Sequence, residues 1–395
     1  MSIVKEVPFL VVGGGIGGLA TALGVAATGR SVLVLEQAPE IGEVGAGIQL
    51  APNATAVLSQ LGVMEELATH AVFPQRLVLM DARTGQELSA LDLGDAFLEK
   101  YGHPYIVLHR ADLQQVLYAA CQANENIQVL TNQGVTAVED LGDRAQVTVT
   151  DGTTYLSDAV IGADGLHSKT RQLFSGDQPI CSEYVAYRGT IPMAEMAAQA
   201  GTNMDDVIMW IGPHLHLVQY PVRRRELYNQ VIVFKSFRYK ENSDDWGTPD
   251  EIDEHFGSCC ASVRHAVSYI SRQRRWPMYD RLPISNWSKG RVALLGDAAH
   301  PMLQYLAQGG CQALEDVACL THFLRVFGDD YAKAFASYQE DRIPRTASVQ
   351  TNARLWGETI HTVDPLAVYL RNQLMQQRSP ADTRYVDWLY SRQYP

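Results

Sequence analysis

Five glycines crowd into Gly13-Gly-Gly-Ile-Gly-Gly18 and break an otherwise apolar stretch. Phe9 to Val12 before them reads as a short buried strand. Leu19 to Ala27 after them reads as a helix of small and apolar residues ended by Gly29. In a G-x-G-x-x-G turn between strand and helix, Gly13 permits the tight turn and Gly15 lets the backbone approach a pyrophosphate. Gly18 lets helix and strand pack closely, and the phosphate meets the positive end of the helix. Ser31 to Leu35 is a second apolar strand closed by Glu36, 23 positions after Gly13, where a carboxylate accepts hydrogen bonds from a ribose. This is a βαβ unit for a dinucleotide, and by itself it does not separate FAD from NAD.

Two further turns carry acids. Ala159-Val-Ile161 runs into Gly162-Ala-Asp164-Gly165, followed by Ser168 and Arg171, and Arg291 to Leu295 runs into Gly296-Asp297. Both turns sit at the carboxyl ends of predicted strands, where open α/β sheets bind ligands. Asp297 is suited to accept from a ribityl hydroxyl. Gly309 and Gly310 open a helix whose N-terminus favours negative charge on a reduced isoalloxazine. No second G-x-G-x-x-G occurs, so a resident nicotinamide nucleotide domain is not expected. His216 and Tyr220 fall four residues apart in Gly212-Pro-His-Leu-His-Leu-Val-Gln-Tyr-Pro221. On a strand they share a face, roughly 13 Å apart at about 3.3 Å per residue. An imidazole of ordinary basicity there suits a general base. His214 and His216 also fall on one predicted strand face, but no carboxylate or cysteine completes a site and no metal is expected.

The three motifs together resemble the single-component flavin-dependent aromatic hydroxylases, which share the p-hydroxybenzoate hydroxylase fold, and the resemblance covers nearly the whole chain. It implies an α/β protein whose Rossmann-like FAD-binding domain is discontinuous, over 1–75, 105–183 and 284–340. A mainly β substrate-binding domain is inserted over 76–104 and 184–283, and a helical C-terminal region spans 341–395. It implies tightly bound FAD, NADH as transient co-substrate, molecular oxygen activated as a flavin hydroperoxide, and a homodimer with the aromatic C-terminal region as a contact. Arg110, in Leu108-His-Arg-Ala-Asp-Leu113, matches the family's arginine near the cofactor. Asp164 matches its residue serving both FAD and nicotinamide. Within the family, Gly212–Pro221 and Gly296–Gly309 look like the hydroxylases that convert 3-hydroxybenzoate to gentisate. Salicylate 1-hydroxylases usually carry proline where this chain has Gln304. The likeness implies His216 as base, Gln304 orienting the ring hydroxyl and Tyr220 holding the ring. Open alternatives are a salicylate 1-hydroxylase, a flavin reductase or halogenase, and a binding protein that kept the fold without activity. The halogenase W-x-W-x-I-P element is absent, as are G-x-S-x-G and H-E-x-x-H.

Composition agrees with a globular enzyme. The chain has 395 residues, 46% apolar and 19% charged, with a net charge of −12, which gives no electrostatic footprint for nucleic acid or anionic lipid. Six cysteines without C-x-x-C spacing point to reduced thiols in the cytoplasm. Val7 to Gly29 is free of charge, but Pro8 and seven glycines argue against a membrane span. Beyond the motifs, the pattern predicts strands over Val207 to Tyr220 and Tyr228 to Phe237 and an amphipathic helix around Asp250 to Ile270. Past Asp341 it predicts helix and then an irregular tail rich in Tyr and Trp. Trp210, Trp246, Trp276 and Trp287 are expected in the core and at interfaces.

Overall fold

Register decides where the motifs meet. In the computed structural model, which describes residues 4–42, 46–196, 203–240 and 246–394, an eight-stranded sheet contains a run of five parallel strands reaching one of its edges. Their order is Val292–Leu294, Thr154–Gly162, Val4–Val12, Val32–Leu35 and Ile127–Leu130. Val12 is paired with Gly162 and with Leu35, and Gly162 with Leu294. The chain therefore leaves all four strands at one level, so the turns at Gly13, Glu36, Ala163 and Leu295 lie side by side along one edge. The central strands are apolar on both faces: Phe9, Val11, Val34 and Ile161 face helices, while Leu10, Val12, Leu33 and Val160 pack against Val138, Val147 and Val149 of the hairpin strands Val135–Asp140 and Ala145–Val149. On one face the helix Ile16–Ala26 packs against Gly309–Phe327, close enough that a Cβ on Gly24 would press on Thr321. Val7 to Gly29 is thus divided between a strand and an 11-residue helix. Among the described residues no helix is long and apolar enough to cross a membrane.

A seven-stranded sheet supplies the second layer. Its order is Trp276–Asp280, Ile180–Pro192, Leu227–Lys235, Leu215–Val222, Val207–Gly212, Arg76–Asp81, Glu87–Asp92. The predicted strand Val207 to Tyr220 is in fact a hairpin. Pro213 and His214 form its turn, with His214 at φ +58°, so His214 leaves the strand and does not share a face with His216. The predicted helix over Asp250 to Ile270 is two, Glu251–Phe256 and Ala261–Ser268, broken across Gly257 to Cys260. Ile252, Phe256 and Val263 from this pair pack onto Tyr187, Trp210, Leu217 and Phe234. One sheet face is closed in this way, and the alternate residues turn to the other.

The C-terminal region starts earlier and ends in more order than the sequence pattern implies. Residue 341 falls inside one continuous helix, Tyr331–Ile360, and a second helix follows over Pro365–Gln376. The aromatic tail is held in place. Tyr390 makes edge contacts with Phe97, Tyr101 and Tyr105 at ring separations of 6.2, 5.8 and 6.1 Å.

Candidate active site

A cavity of about 1180 Å³ lies between the motif edge of the first sheet and the open face of the second. Ordinary small-molecule sites run to roughly 300–1,000 Å³, so there is room for a dinucleotide beside a small aromatic ring. The structure brings every predicted cofactor residue except Gly18 to its wall: Gly13, Gly15, Glu36, Arg110, Asp164, Gly296, Asp297, Gly309 and Gly310.

The three motif glycines do different work. Gly13 stands at φ +107°, where L side chains are strained, and a Cβ there would collide with the Ala163 carbonyl. A Cβ on Gly18 would collide with the Gly13 carbonyl, so Gly18 serves the packing of helix on turn. Around Gly15 nothing lies within 4 Å of a Cβ. That open space sits at the N-terminus of Ile16–Ala26, in the cavity wall, and has room for a phosphate group.

Around it the acids divide by partner. Glu36 is gripped by its own turn, accepting from the Gly14 amide at 2.6 Å and the Ala38 amide at 2.8 Å. Asp164 accepts from the Ser168 hydroxyl at 2.5 Å and from the Lys169 and Thr170 amides at 2.8 and 3.1 Å, so it also organises its loop. Asp297 is exposed to the cavity and has no hydrogen-bond partner among the described residues, which suits a carboxylate awaiting sugar-alcohol hydroxyls. Gly309 begins a 19-residue helix, and its first turn faces the cavity as a site for developing negative charge. These residues fit FAD.

Sequence reasoning missed what fixes the Gly296 turn. Asp316, fully buried, accepts from the Gly296 amide at 2.9 Å and pairs with His300 at 2.6 Å and Arg342 at 2.7 Å. Burial raises its pKa, but His300 and Arg342 more than offset this and hold it below the usual carboxylate range. Arg342 also bonds Glu315 at 2.6 Å. No spacing in the sequence announces this network.

On the other side, a row of paired residues crosses the seven-stranded sheet: Arg188, Val231, Val218, Met209, Leu79 and Ser89. All six line the cavity. His216 and Tyr220 flank Val218 at i−2 and i+2 and so face the same way, and both line the cavity with Gln304. Tyr220 lies over the Gly47 backbone and hydrogen-bonds Gln49, whose carbonyl oxygen accepts from Tyr105 at 2.7 Å. The Gln304 carbonyl oxygen accepts from Arg188 at 3.1 Å.

One premise about His216 needs correction. Its Nδ1 lies 2.7 Å from Nε2 of His361, and the two rings stack with centroids 5.0 Å apart. Tyr184 stacks on His361 and the Tyr305 edge meets both imidazoles. Burial pushes the His216 pKa down to about 3, far from the ordinary imidazole range. His216 is therefore neutral and acts through hydrogen bonds, with His361 setting which of its nitrogens carries the proton. His361 and Arg188 have no sequence signature, being 145 and 116 positions from their partners. Among the described residues no group of three His, Cys, Asp or Glu is placed to hold a metal.

A family described as an FAD binding domain matches residues 6–353. The chain belongs to that FAD-binding family. It is 40% identical over 390 residues to the 3-hydroxybenzoate 6-hydroxylase of Polaromonas naphthalenivorans, covering 98% of this chain and 96% of that one. It is 38% identical to the 3-hydroxybenzoate 6-hydroxylase of Klebsiella oxytoca, with 98% and 97% covered. Among solved structures, Klebsiella pneumoniae HpxO complexed with FAD and uric acid superposes with a TM-score of 0.83 at 25% identity, over 95% of this chain and 93% of that one. A salicylate hydroxylase substrate complex superposes with a TM-score of 0.81 at 22% identity, over 98% and 96%, which bears on the fold alone. The expected α/β hydroxylase fold is thus borne out, and the protein is an FAD-dependent aromatic-ring monooxygenase.

Proposed function

We propose that this monooxygenase takes 3-hydroxybenzoate to 2,5-dihydroxybenzoate (gentisate), using NADH and molecular oxygen. The observation that carries the reading is the trio His216, Tyr220 and Gln304 converging on one wall of the cavity that holds the FAD residues. FAD held by Gly15, Glu36, Arg110, Asp164 and Asp297 would supply the redox chemistry, hydride uptake from NADH and transfer of one oxygen atom of O2. The protein's part is placement. Neutral His216 accepts the hydrogen bond of the ring hydroxyl and draws electron density toward its ortho and para carbons. Gln304 fixes the same hydroxyl, and Tyr220 closes the pocket over Gly47. The apolar row Val231, Val218, Met209 and Leu79 keeps water from the reacting carbon.

Regiochemistry separates this from its runner-up. The carbon para to the hydroxyl of 3-hydroxybenzoate bears only hydrogen, so oxygen transfer there keeps the carboxylate. In salicylate the ortho carbon that would be attacked carries the carboxylate, which leaves as carbon dioxide and gives catechol. Supplying each acid with NADH and separating the products tests it: gentisate from 3-hydroxybenzoate is expected, and catechol from salicylate as the faster reaction would overturn the reading. We further propose a homodimer in the cytoplasm, with Asp164 also contacting the nicotinamide. The helix Pro365–Gln376 leaves Leu366, Tyr369, Leu370 and Leu374 exposed on one stripe, a face suited to a second copy. We assign the seven-stranded sheet to substrate and the eight-stranded one to FAD.

A further inference from the structure

We propose that His361 and Arg371 are positioning residues of the active site, which hold the His216 ring with Nε2 as the nitrogen offered to the ring hydroxyl. This deepens the function proposed above. It rests on that reading for a hydroxyl being the group that meets His216, but not for where on the ring the hydroxyl stands.

The geometry runs from the cavity outward. His216 is among the described residues that line the cavity and His361 is not, so His361 stands behind it. Nε2 of His361 takes up Nδ1 of His216 at 2.7 Å, which leaves Nε2 of His216 as that ring's remaining polar atom. This nitrogen has no hydrogen-bond partner among the described residues. The amide oxygens of Gln304 and Gln49, which line the same cavity, already accept from Arg188 and Tyr105. A neutral imidazole has one donor and one acceptor nitrogen. A hydroxyl that donates to Nε2 therefore places the His216 proton on Nδ1, where His361 accepts it.

His361 is itself held from several sides. Tyr184 stacks on it at a ring separation of 4.6 Å, and the edge of Tyr305 meets it at 5.2 Å. Tyr305 seats against Gly357, one turn before His361, where a Cβ would collide with its ring. The His361 carbonyl accepts from the His214 amide at 3.0 Å, which ties it to the hairpin turn just before His216. Arg371 closes the end of the helix that carries His361. Only 6% exposed, its guanidinium donates to the Ile360 and Thr359 carbonyls at 2.9 and 3.3 Å, the last residues of Tyr331–Ile360. A cation there meets the negative end of the helix and satisfies carbonyls that have no partner within it. Arg371 also donates to the Asn372 amide oxygen, and the Asn372 amide nitrogen donates to Asp81 at 3.1 Å. The clamp is thereby fastened to the same seven-stranded sheet that carries His216.

The test asks how well FAD-loaded enzyme tells a hydroxylated acid from benzoate, by calorimetry with 3-hydroxybenzoate, salicylate and benzoate. The parent should bind the preferred hydroxy acid about tenfold more tightly than benzoate, the scale of one buried neutral hydrogen bond. His361→Phe keeps a flat ring against Tyr184 and His216 but removes the acceptor. The preference should then fall to within about twofold, while benzoate affinity stays within about threefold. His361→Gln offers an amide oxygen in its place and should keep part of the preference. Should His361→Phe fail to hold FAD, Arg371→Met leaves both imidazoles present and should lower the preference, with Arg371→Lys restoring part of it. The second readout is nitrogen NMR of enzyme labelled at its imidazoles, assigned with His216→Gln. With a hydroxy acid bound, His216 should carry its proton on Nδ1 and show a hydrogen-bonded, unprotonated Nε2. A proton on Nε2 instead, an unchanged preference in His361→Phe and Arg371→Met, or no preference in the parent for either hydroxy acid overturns the inference. A preference confined to salicylate upholds the positioning residues while overturning the substrate proposed above.

Discussion

The two walls of the cavity are built by opposite means. The cofactor wall is local: Glu36 is held by Gly14 and Ala38, Asp164 by Ser168 to Thr170, and the phosphate space is a glycine turn flowing into a helix. Its recognition elements are backbone groups and side chains fixed within a few positions of one another or within one βαβ unit. The wall proposed for the substrate is assembled across the chain, with Arg188 on Gln304 and His216 on His361. There a side chain's role is set by strand register and by partners more than a hundred positions away. The first kind of wall can serve many members of a family unchanged. The second can change its ligand through single residues.

The largest effect should come from the buried charges beneath the cofactor wall. Arg342→Met leaves Asp316 and Glu315 with His300 and Arg345 as their remaining ionic partners, and breaking a fully buried network of this kind costs about 3–5 kcal/mol. Denaturant unfolding should show that loss, and flavin content should fall because Asp316 also holds the Gly296 amide. A loss under about 1 kcal/mol would mean that the network is dispensable and that the cofactor wall is pinned by its turns alone.

Glycine substitutions sharpen the contrast within that wall. Gly15→Val faces open space, so folding should be little changed while FAD is lost, because the new methyls fill the phosphate position. Gly18→Ala meets the Gly13 carbonyl instead and should destabilise the protein itself. Thermal unfolding of the flavin-free proteins beside flavin absorbance of the purified ones distinguishes the two. A Gly15→Val protein that stays fully yellow would remove the pyrophosphate from this turn.

On the substrate wall the expected losses are in alignment. Gln304→Pro removes both the bond to Arg188 and the proposed hydrogen bond to the ring hydroxyl, while flavin reduction by NADH should continue. A ring misplaced by an ångström loses near-attack geometry, so product formed per NADH should drop about tenfold, with hydrogen peroxide making up the difference. Coupling equal to the parent's would show that Gln304 does not touch the substrate.

These differences explain what was legible in the sequence. The βαβ unit, the Gly162 and Gly296 turns and the helix at Gly309 announce themselves, because each needs particular residue types at fixed local spacing. The hairpin turn at Pro213 and His214 is signalled by Gly212-Pro213, a turn dipeptide that the strand-like pattern on either side outweighs, and the break between the two helices after Asp250 is marked only by Gly257. His216 and Tyr220 could be placed on one face, since period two is a local property. What His216 can do could not be read, because its basicity depends on burial and on His361.

That dependence gives the smallest and most specific prediction. Burial holds His216 at a pKa of about 3, and burial together with the neighbouring imidazoles holds His361 at about 2, against roughly 6.5 in an unfolded chain. Between these limits the unfolded state binds protons that the folded state refuses, so stability rises with pH through that window. The contribution is fully present above about pH 6.5 and drains away as pH falls toward 3. Each such imidazole adds a slope of at most about 1.4 kcal/mol per pH unit. His216→Gln deletes one of them, and its unfolding free energy should fall less than the parent's between pH 6.5 and 5. Asp316 and Glu315, held below the carboxylate range by their partners, lose their contribution in the same direction but at lower pH, so the upper window reports the imidazoles. The comparison is of slopes, which separates proton uptake from any cost of the substitution itself. Parallel lines for parent and variant across that window would mean that His216 titrates in the folded protein as it does in the unfolded chain, and it would then return to the role of an ordinary base.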